Sequence, residues 1–124
     1  FTSIELEDYP ENLRDIARIL NAAGENWTVS LDARDAFNLG TIIGDKAVQR
    51  TISDRVANAA VALGVKRLIV TECGHGFTTL RDEYPNNIGK RLPFQVMHIT
   101  EMMAAAVESS RTGERYEMTT TVDV

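Results

Sequence analysis

Leu68, Ile69, Val70 and Thr71 form an uninterrupted apolar run that ends directly on Glu72-Cys73-Gly74-His75-Gly76. A strand with one wet face alternates apolar and polar side chains. A run without alternation therefore predicts a strand covered on both faces, as in the centre of a parallel sheet. Such a sheet needs helices on either side of it, and helical and strand-like segments do alternate along this chain.

Phe1 to Leu6 reads as the tail of a first strand. Pro10 suits an opening helical turn, where its missing N–H would be unpaired anyway. Leu13, Ile16, Ala17 and Leu20 then recur at helical spacing until Gly24. A short strand from Trp27 to Leu31 follows, then a polar bend through Asp32, Arg34 and Asp35. Ala36 to Ile43 reads as a short helix or turn, punctuated by Gly40 and Gly44. Asp45 is placed to cap a longer helix whose apolar face is Val48, Ile52, Val56, Ala59, Ala60 and Leu63, with Gly64 as its stop.

Beyond the Cys73 turn, Phe77 to Glu83 reads as helix, 85–89 as a loop, and Phe94 to Ile99 as a strand after Pro93. Thr100 is the expected N-cap of a helix from Glu101 to Ser110. Gly113 then turns the chain into a last strand, Tyr116 to Val122. The fold expected is a single α/β domain over residues 1–124. It is Rossmann-like and three-layered, with a mostly parallel sheet of four or five strands.

Composition narrows the function classes. The 13 Lys and Arg are spread among 18 Asp and Glu, for a net charge of −5. No basic stripe is available to neutralise phosphates, which argues against nucleic acid as a partner. Apolar runs fall far short of a membrane span, and no secretory signal is present. One cysteine excludes an intrachain disulfide and suits a reducing, cytoplasmic compartment. The chain begins Phe-Thr-Ser with no Met, and the expectation is that it belongs to a longer polypeptide.

In open parallel sheets, ligands gather beyond the carboxyl ends of the strands. Cys73 falls at such an end, as does the bend from Ser30 to Asn38. Gly74 and Gly76 allow a sharp turn and close approach of another group. A helix opening after Cys73 would direct unpaired N–H groups at the sulfur and favour thiolate, while Glu72 would oppose it. The alternative is a buried structural cysteine, since free cysteines pack as small hydrophobes. His75 suits a ligand, a proton donor or a partner of the cysteine, and equally a hydrogen bond to the turn backbone. His98 can face the same crevice, though an isolated His in a strand is more often structural. Asp32, Asp35 and Asp45 are explained by turns and caps. Met97, Met102, Met103, Met118 and Trp27 are expected in the core. No dinucleotide fingerprint or P-loop occurs.

Several segments together carry a resemblance. They are Gly24-Glu25-Asn26-Trp27-Thr28, then Asp35-Ala36-Phe37-Asn38-Leu39-Gly40 with Gly44-Asp45. Gly64-Val65-Lys66-Arg67-Leu68-Ile69-Val70 runs into Glu72-Cys73-Gly74-His75, and Pro93-Phe94-Gln95-Val96-Met97-His98-Ile99 follows. In this order the chain resembles the cysteine-rich (CCG) domain of heterodisulfide-reductase-like iron–sulfur proteins over most of its length. Within that family it is most similar to the catalytic-type subunits of membrane redox complexes in sulfur metabolism.

The resemblance implies a repeat that works in pairs, two repeats holding a [4Fe–4S] cluster that handles thiols and disulfides. Cys73 matches the first cysteine of the family's Cys-x-x-Cys motif, and Gly76 stands where the second would be. Phe37-Asn38-Leu39-Gly40 occupies the place of Cys-Cys-Gly and has no cysteine. This makes the chain a degenerate first repeat. Cys73 would be the metal ligand, with His75, Asn38, Gly74 and Gly76 around the cluster or substrate. One thiolate does not hold four irons, so this chain alone is expected to retain no cluster. The implied partners are the second cysteine-rich repeat, electron-transfer or membrane subunits at the inner face of the membrane, and a thiol or disulfide substrate.

Three other readings stay open on the residues. One is a cysteine nucleophile with His98 or His75 as base. Another is a silent docking module. The third is a zinc site from Cys73, His75 and His98, whose spacing fits no standard pattern.

Overall fold

The protein, represented by a computed structural model, is described over residues 2–33 and 39–113. The expected strand Tyr116 to Val122, and Arg34, Asp35, Ala36, Phe37 and Asn38, lie outside those residues.

The first element is a helix rather than the expected strand: α1, Ser3–Glu7. Its cause is a capping box. Thr2 Oγ1 accepts the Glu5 N–H at 3.3 Å while the Glu5 carboxylate accepts the Thr2 N–H at 2.8 Å. Two otherwise orphan donors are thus satisfied reciprocally, which outweighs the strand-like look of the segment. Helix α2, Pro10–Ala22, starts on its proline and stops before Gly24, which takes φ +71°. It buries Leu20, with Ile16 beside it.

Helix α3, Leu39–Ile43, covers the described part of the expected Ala36–Ile43 segment. Helix α4, Lys46–Ala62, is capped as expected: Asp45 Oδ1 accepts the N–H groups of Ala47 and Val48 at 2.9 and 3.0 Å. Its buried stripe is Gln49, Ser53, Val56, Ala57 and Ala60, while Leu63 is exposed. The face is turned relative to the apolar one expected, because Gln49 is needed inside a polar network described below.

Strand β1, Arg67–Val70, pairs in parallel with β2, Gln95–His98, in the register Leu68↔Val96, Ile69↔Met97 and Val70↔His98. Alternate residues go to opposite faces, as the pleat requires. Val70 and Val96, with Leu68 beside them, join a core with Val56, Ala60, Leu80 and Tyr84. Met97 and Ile69 join a second core with Leu20, Ile99 and Met102. The sheet therefore contributes to an apolar core on each face, an arrangement compatible with an α/β fold.

Its width departs from expectation. Among the described residues it has two strands, not four or five. The expected strand Trp27 to Leu31 carries no regular structure. A groove of about 650 Å³ separates Trp27, Val29 and Ser30 from β1, and among the described residues no backbone hydrogen bond crosses it. Trp27 is held instead from its own side, donating Nε1–H to Asn21 Oδ1 at 2.9 Å.

After β1 the helical run starts earlier and lasts longer than expected. Helix α5, Gly74–Thr78, passes into a π-helical turn, Thr79–Glu83, and then α6, Tyr84–Ile88, so most of the expected 85–89 loop is helix. Pro85 sits in the first turn of α6, and Gly89 ends it at φ +66°. Helix α7, Ile99–Thr112, is capped by His98 rather than Thr100. Met97 and Met102 are core residues as expected. Met103, also expected in the core, is instead exposed, and Met118 lies outside the described residues.

Tyr84 gives this architecture a measurable pH signature. Its ring is buried and its hydroxyl donates to Asp54 Oδ1 on α4. Burial first, and the Asp54 hydrogen bond second, push the phenol well above its ordinary value of 10.0. The stabilisation is complete below the unfolded-state value and is lost as pH rises toward the folded one, because only the unfolded chain ionises in between. Unfolding free energy should fall above about pH 10 by up to about 1.4 kcal/mol per pH unit. Urea titrations from pH 9 to 11 check this: Tyr84→Phe is expected to flatten that slope, and an unaltered slope would show the phenol is not its source.

Candidate functional site

Where β1 ends, the chain runs through Thr71 and Glu72 to Cys73, and the parallel register brings the end of β2, at His98, to the same side. Cys73 is the N-cap of α5. Its Sγ accepts the Gly76 N–H at 3.2 Å, and its carbonyl accepts the Phe77 N–H at 2.9 Å. The sulfur of a half-buried residue thus caps a helix, as a Ser or Asp oxygen would. Cys73 belongs to neither core cluster. A methyl group added at Gly74 would meet nothing within 4 Å, so the turn borders open space. Gly76, by contrast, is buried.

His75 is exposed, and among the described residues its imidazole makes no hydrogen bond, to Cys73 or to any other group. Asn38 lies outside the described residues. The next residues begin α3, whose Thr41 meets Thr79 at 2.9 Å, Oγ1 to Oγ1, so α3 is tied to the helical run that Cys73 starts. Asp45 is spent on the α4 cap and Asp32 is exposed.

His98 joins the turn from the other strand. Its Nδ1 accepts the Thr100 N–H at 3.3 Å, its Nε2 lies 3.4 Å from the Glu72 carbonyl, and its backbone N–H donates to Glu101 Oε2 at 2.9 Å. The imidazole also packs edge-on against Phe77, centroids 5.6 Å apart. The Arg81 guanidinium covers Phe77 at 4.3 Å and lies 3.9 Å from Glu101. The hydrogen bond to Asp82, more than Glu101, raises the Arg81 guanidinium above its ordinary value, so it is a fixed cation.

Two features of the surroundings were not anticipated. Glu5 on α1 is buried and accepts from Thr71 Oγ1 at 2.7 Å, which docks α1 at the exit of β1. The Thr-x-x-Glu spacing was the sequence signal for it. Around the π turn, Gln49 donates to Thr41 and to Glu83 at 3.0 and 2.6 Å, and Asn87 donates to Gln49 at 2.9 Å. Thr79, fully buried in the π turn, joins this network through Thr41. Nothing in the local sequence marks these residues, which are scattered over four helical segments.

Among the described residues no three His, Cys, Asp or Glu side chains converge to hold a metal ion, Cys73, His75 and His98 included. The groove beside β1 is lined by residues between Ile16 and Thr71 and does not include Cys73. Among the described residues no helix is long and apolar enough to cross a membrane.

Comparison with known proteins agrees in direction with the resemblance and is coarser. The chain is 28% identical over 97 residues to the EtfAB:quinone oxidoreductase of Syntrophomonas wolfei subsp. wolfei (strain DSM 2245B / Goettingen). The match covers 77% of this chain and 13% of that protein, so the chain corresponds to a small part of its relative. No protein-family profile matches the chain. No solved structure matches it.

Proposed function

We propose that this chain is a degenerate cysteine-rich repeat of a larger iron–sulfur oxidoreductase that moves electrons to or from a thiol or disulfide. The observation that carries the reading is the placement of Cys73, a half-buried sulfur on the rim of a parallel sheet and outside both cores. The likeness to part of a quinone oxidoreductase supports the redox class.

The residues present do not by themselves fit a [4Fe–4S] cluster. The chain has one cysteine, and a cubane typically takes four thiolates. In this proposal Cys73 is one ligand, and a second, cysteine-bearing repeat supplies the rest. The contributions of this chain are then local. The Gly76 N–H on Sγ stabilises negative charge on sulfur, and the open side at Gly74 leaves room for a large group. His75, exposed two residues on, is open to a substrate, and in this proposal His75 and Asn38 tune the sulfur or bind that substrate. Partner subunits carrying electrons, on the cytoplasmic side of a membrane, belong to the same proposal.

Cys73→Ser in the longer polypeptide is the test. Iron content should drop and the electron paramagnetic resonance spectrum should change. Unchanged iron and spectrum remove Cys73 from the ligand set.

A second reading, a cluster-free docking module, draws on α3, where Leu39, Ile42 and Ile43 are 47%, 65% and 59% exposed. It gains if the same substitution leaves the longer protein fully active. The cysteine-nucleophile reading has less support, because the described geometry gives Cys73 no base: His98 Nε2 is directed at the Glu72 carbonyl and not at the sulfur.

A further inference from the structure

We infer that His98 is a positioning residue for Cys73, clamping its turn from the end of the neighbouring strand. The inference rests on the proposed role of Cys73 only for its importance, since the clamp itself is a matter of geometry.

Neutral imidazole has one N–H and one acceptor nitrogen. Nδ1 receives the Thr100 N–H at the start of α7 and lies 2.9 Å from the Thr100 hydroxyl, which can donate to the same nitrogen; the tautomer that fits both contacts carries its proton on Nε2, facing the Glu72 carbonyl. That carbonyl belongs to the peptide entering Cys73. The ring also packs on Phe77, whose own N–H closes on the Cys73 carbonyl. His98 therefore touches the turn just before the cysteine and again at the residue that ties off its carbonyl. Arg81, stacked on Phe77 and facing Glu101, limits that ring's freedom in turn. Among the described residues no hydrogen bond joins His98 to the sulfur, so its effect on Cys73 runs through the backbone.

Two substitutions separate the clamp from the helix cap. His98→Asn offers an acceptor where Nδ1 stood and keeps the cap, but does not reach Glu72. His98→Gln places an amide N–H where Nε2 stood and gives a poor cap. The chain has one cysteine, so the rate of iodoacetamide labelling reports on Cys73 alone. The expected result is that His98→Asn speeds labelling about threefold or more, as loss of one ordinary hydrogen bond allows, with the melting temperature nearly unchanged. His98→Gln should lower the melting temperature and label near the wild-type rate. Wild-type labelling in His98→Asn overturns the clamp, as does labelling that merely follows melting temperature in both variants. Neither readout involves iron. A clamp that fails here leaves the ligand role of Cys73 standing, and a Cys73→Ser protein that keeps its iron leaves the clamp standing.

Discussion

Replacing Leu80 by Ala should unfold the chain more readily than any surface change, with a loss of about 2–5 kcal/mol in stability. Leu80 lies in the π turn that follows α5 and is completely buried. It belongs to the core that also holds Val56, Val70, Tyr84, Phe94 and Val96, a core drawn from both strands, α4 and α6. Truncation removes apolar burial and leaves a cavity whose walls are held by separate elements, which limits collapse. Urea denaturation of the two proteins checks it. A loss well under about 1 kcal/mol would mean that the site repacks. The effect should also reach function, because Leu80 anchors the helical run that positions Cys73 at its start.

The second large effect is expected at Gly40. A Cβ there would stand 2.1 Å from the Gln49 amide nitrogen and 2.3 Å from its Cα. Backbone does not yield as the end of a side chain does, so Gly40→Ala must push α3 away from α4. Overpacking of this kind costs about 1–3 kcal/mol. Here it also strains the bond from Gln49 to Thr41, which spans the same contact. Alanine has the better helix propensity by about 1 kcal/mol, so the sign of the change tells which effect wins. The expected result is destabilisation, seen as a lower midpoint in urea. A Gly40→Ala protein more stable than the wild type would show that the two helices do not meet this closely. Adding Gln49→Ala to Gly40→Ala should recover little, because the close atoms are main chain.

Local signals in the chain were sufficient where the physics is local. Asp45 capping α4, Gly24 and Gly64 ending helices, Pro10 opening one, and an apolar strand running into the Cys73 turn all follow from a few adjacent residues. The same local logic failed at α1, where a capping box was present in Thr2 and Glu5 but an extended strand was expected. It failed again at residues 85–89. There Pro and two Asn suggested a loop, yet Pro is tolerated in an opening helical turn and Gly89 provides the stop.

What only the tertiary structure decided is a matter of distance along the chain. Whether Trp27 to Leu31 zips onto β1 depends on backbone partners some forty residues away, and the segment stays apart, its Trp27 held by Asn21. Gln49 and Ser53 sit inside the fold although their residue types favour water, because α4 turns that face toward α3 and α6. The link from His98 to the Glu72 carbonyl crosses 26 positions and depends on strand register, which pattern alone does not set. Cys73 was legible because a thiol in a glycine-rich turn after an apolar strand is a local chemical fact. Its surroundings were not, because Glu5, His98 and the Thr41–Gln49–Glu83 network are assembled from elements that meet only once the chain has folded.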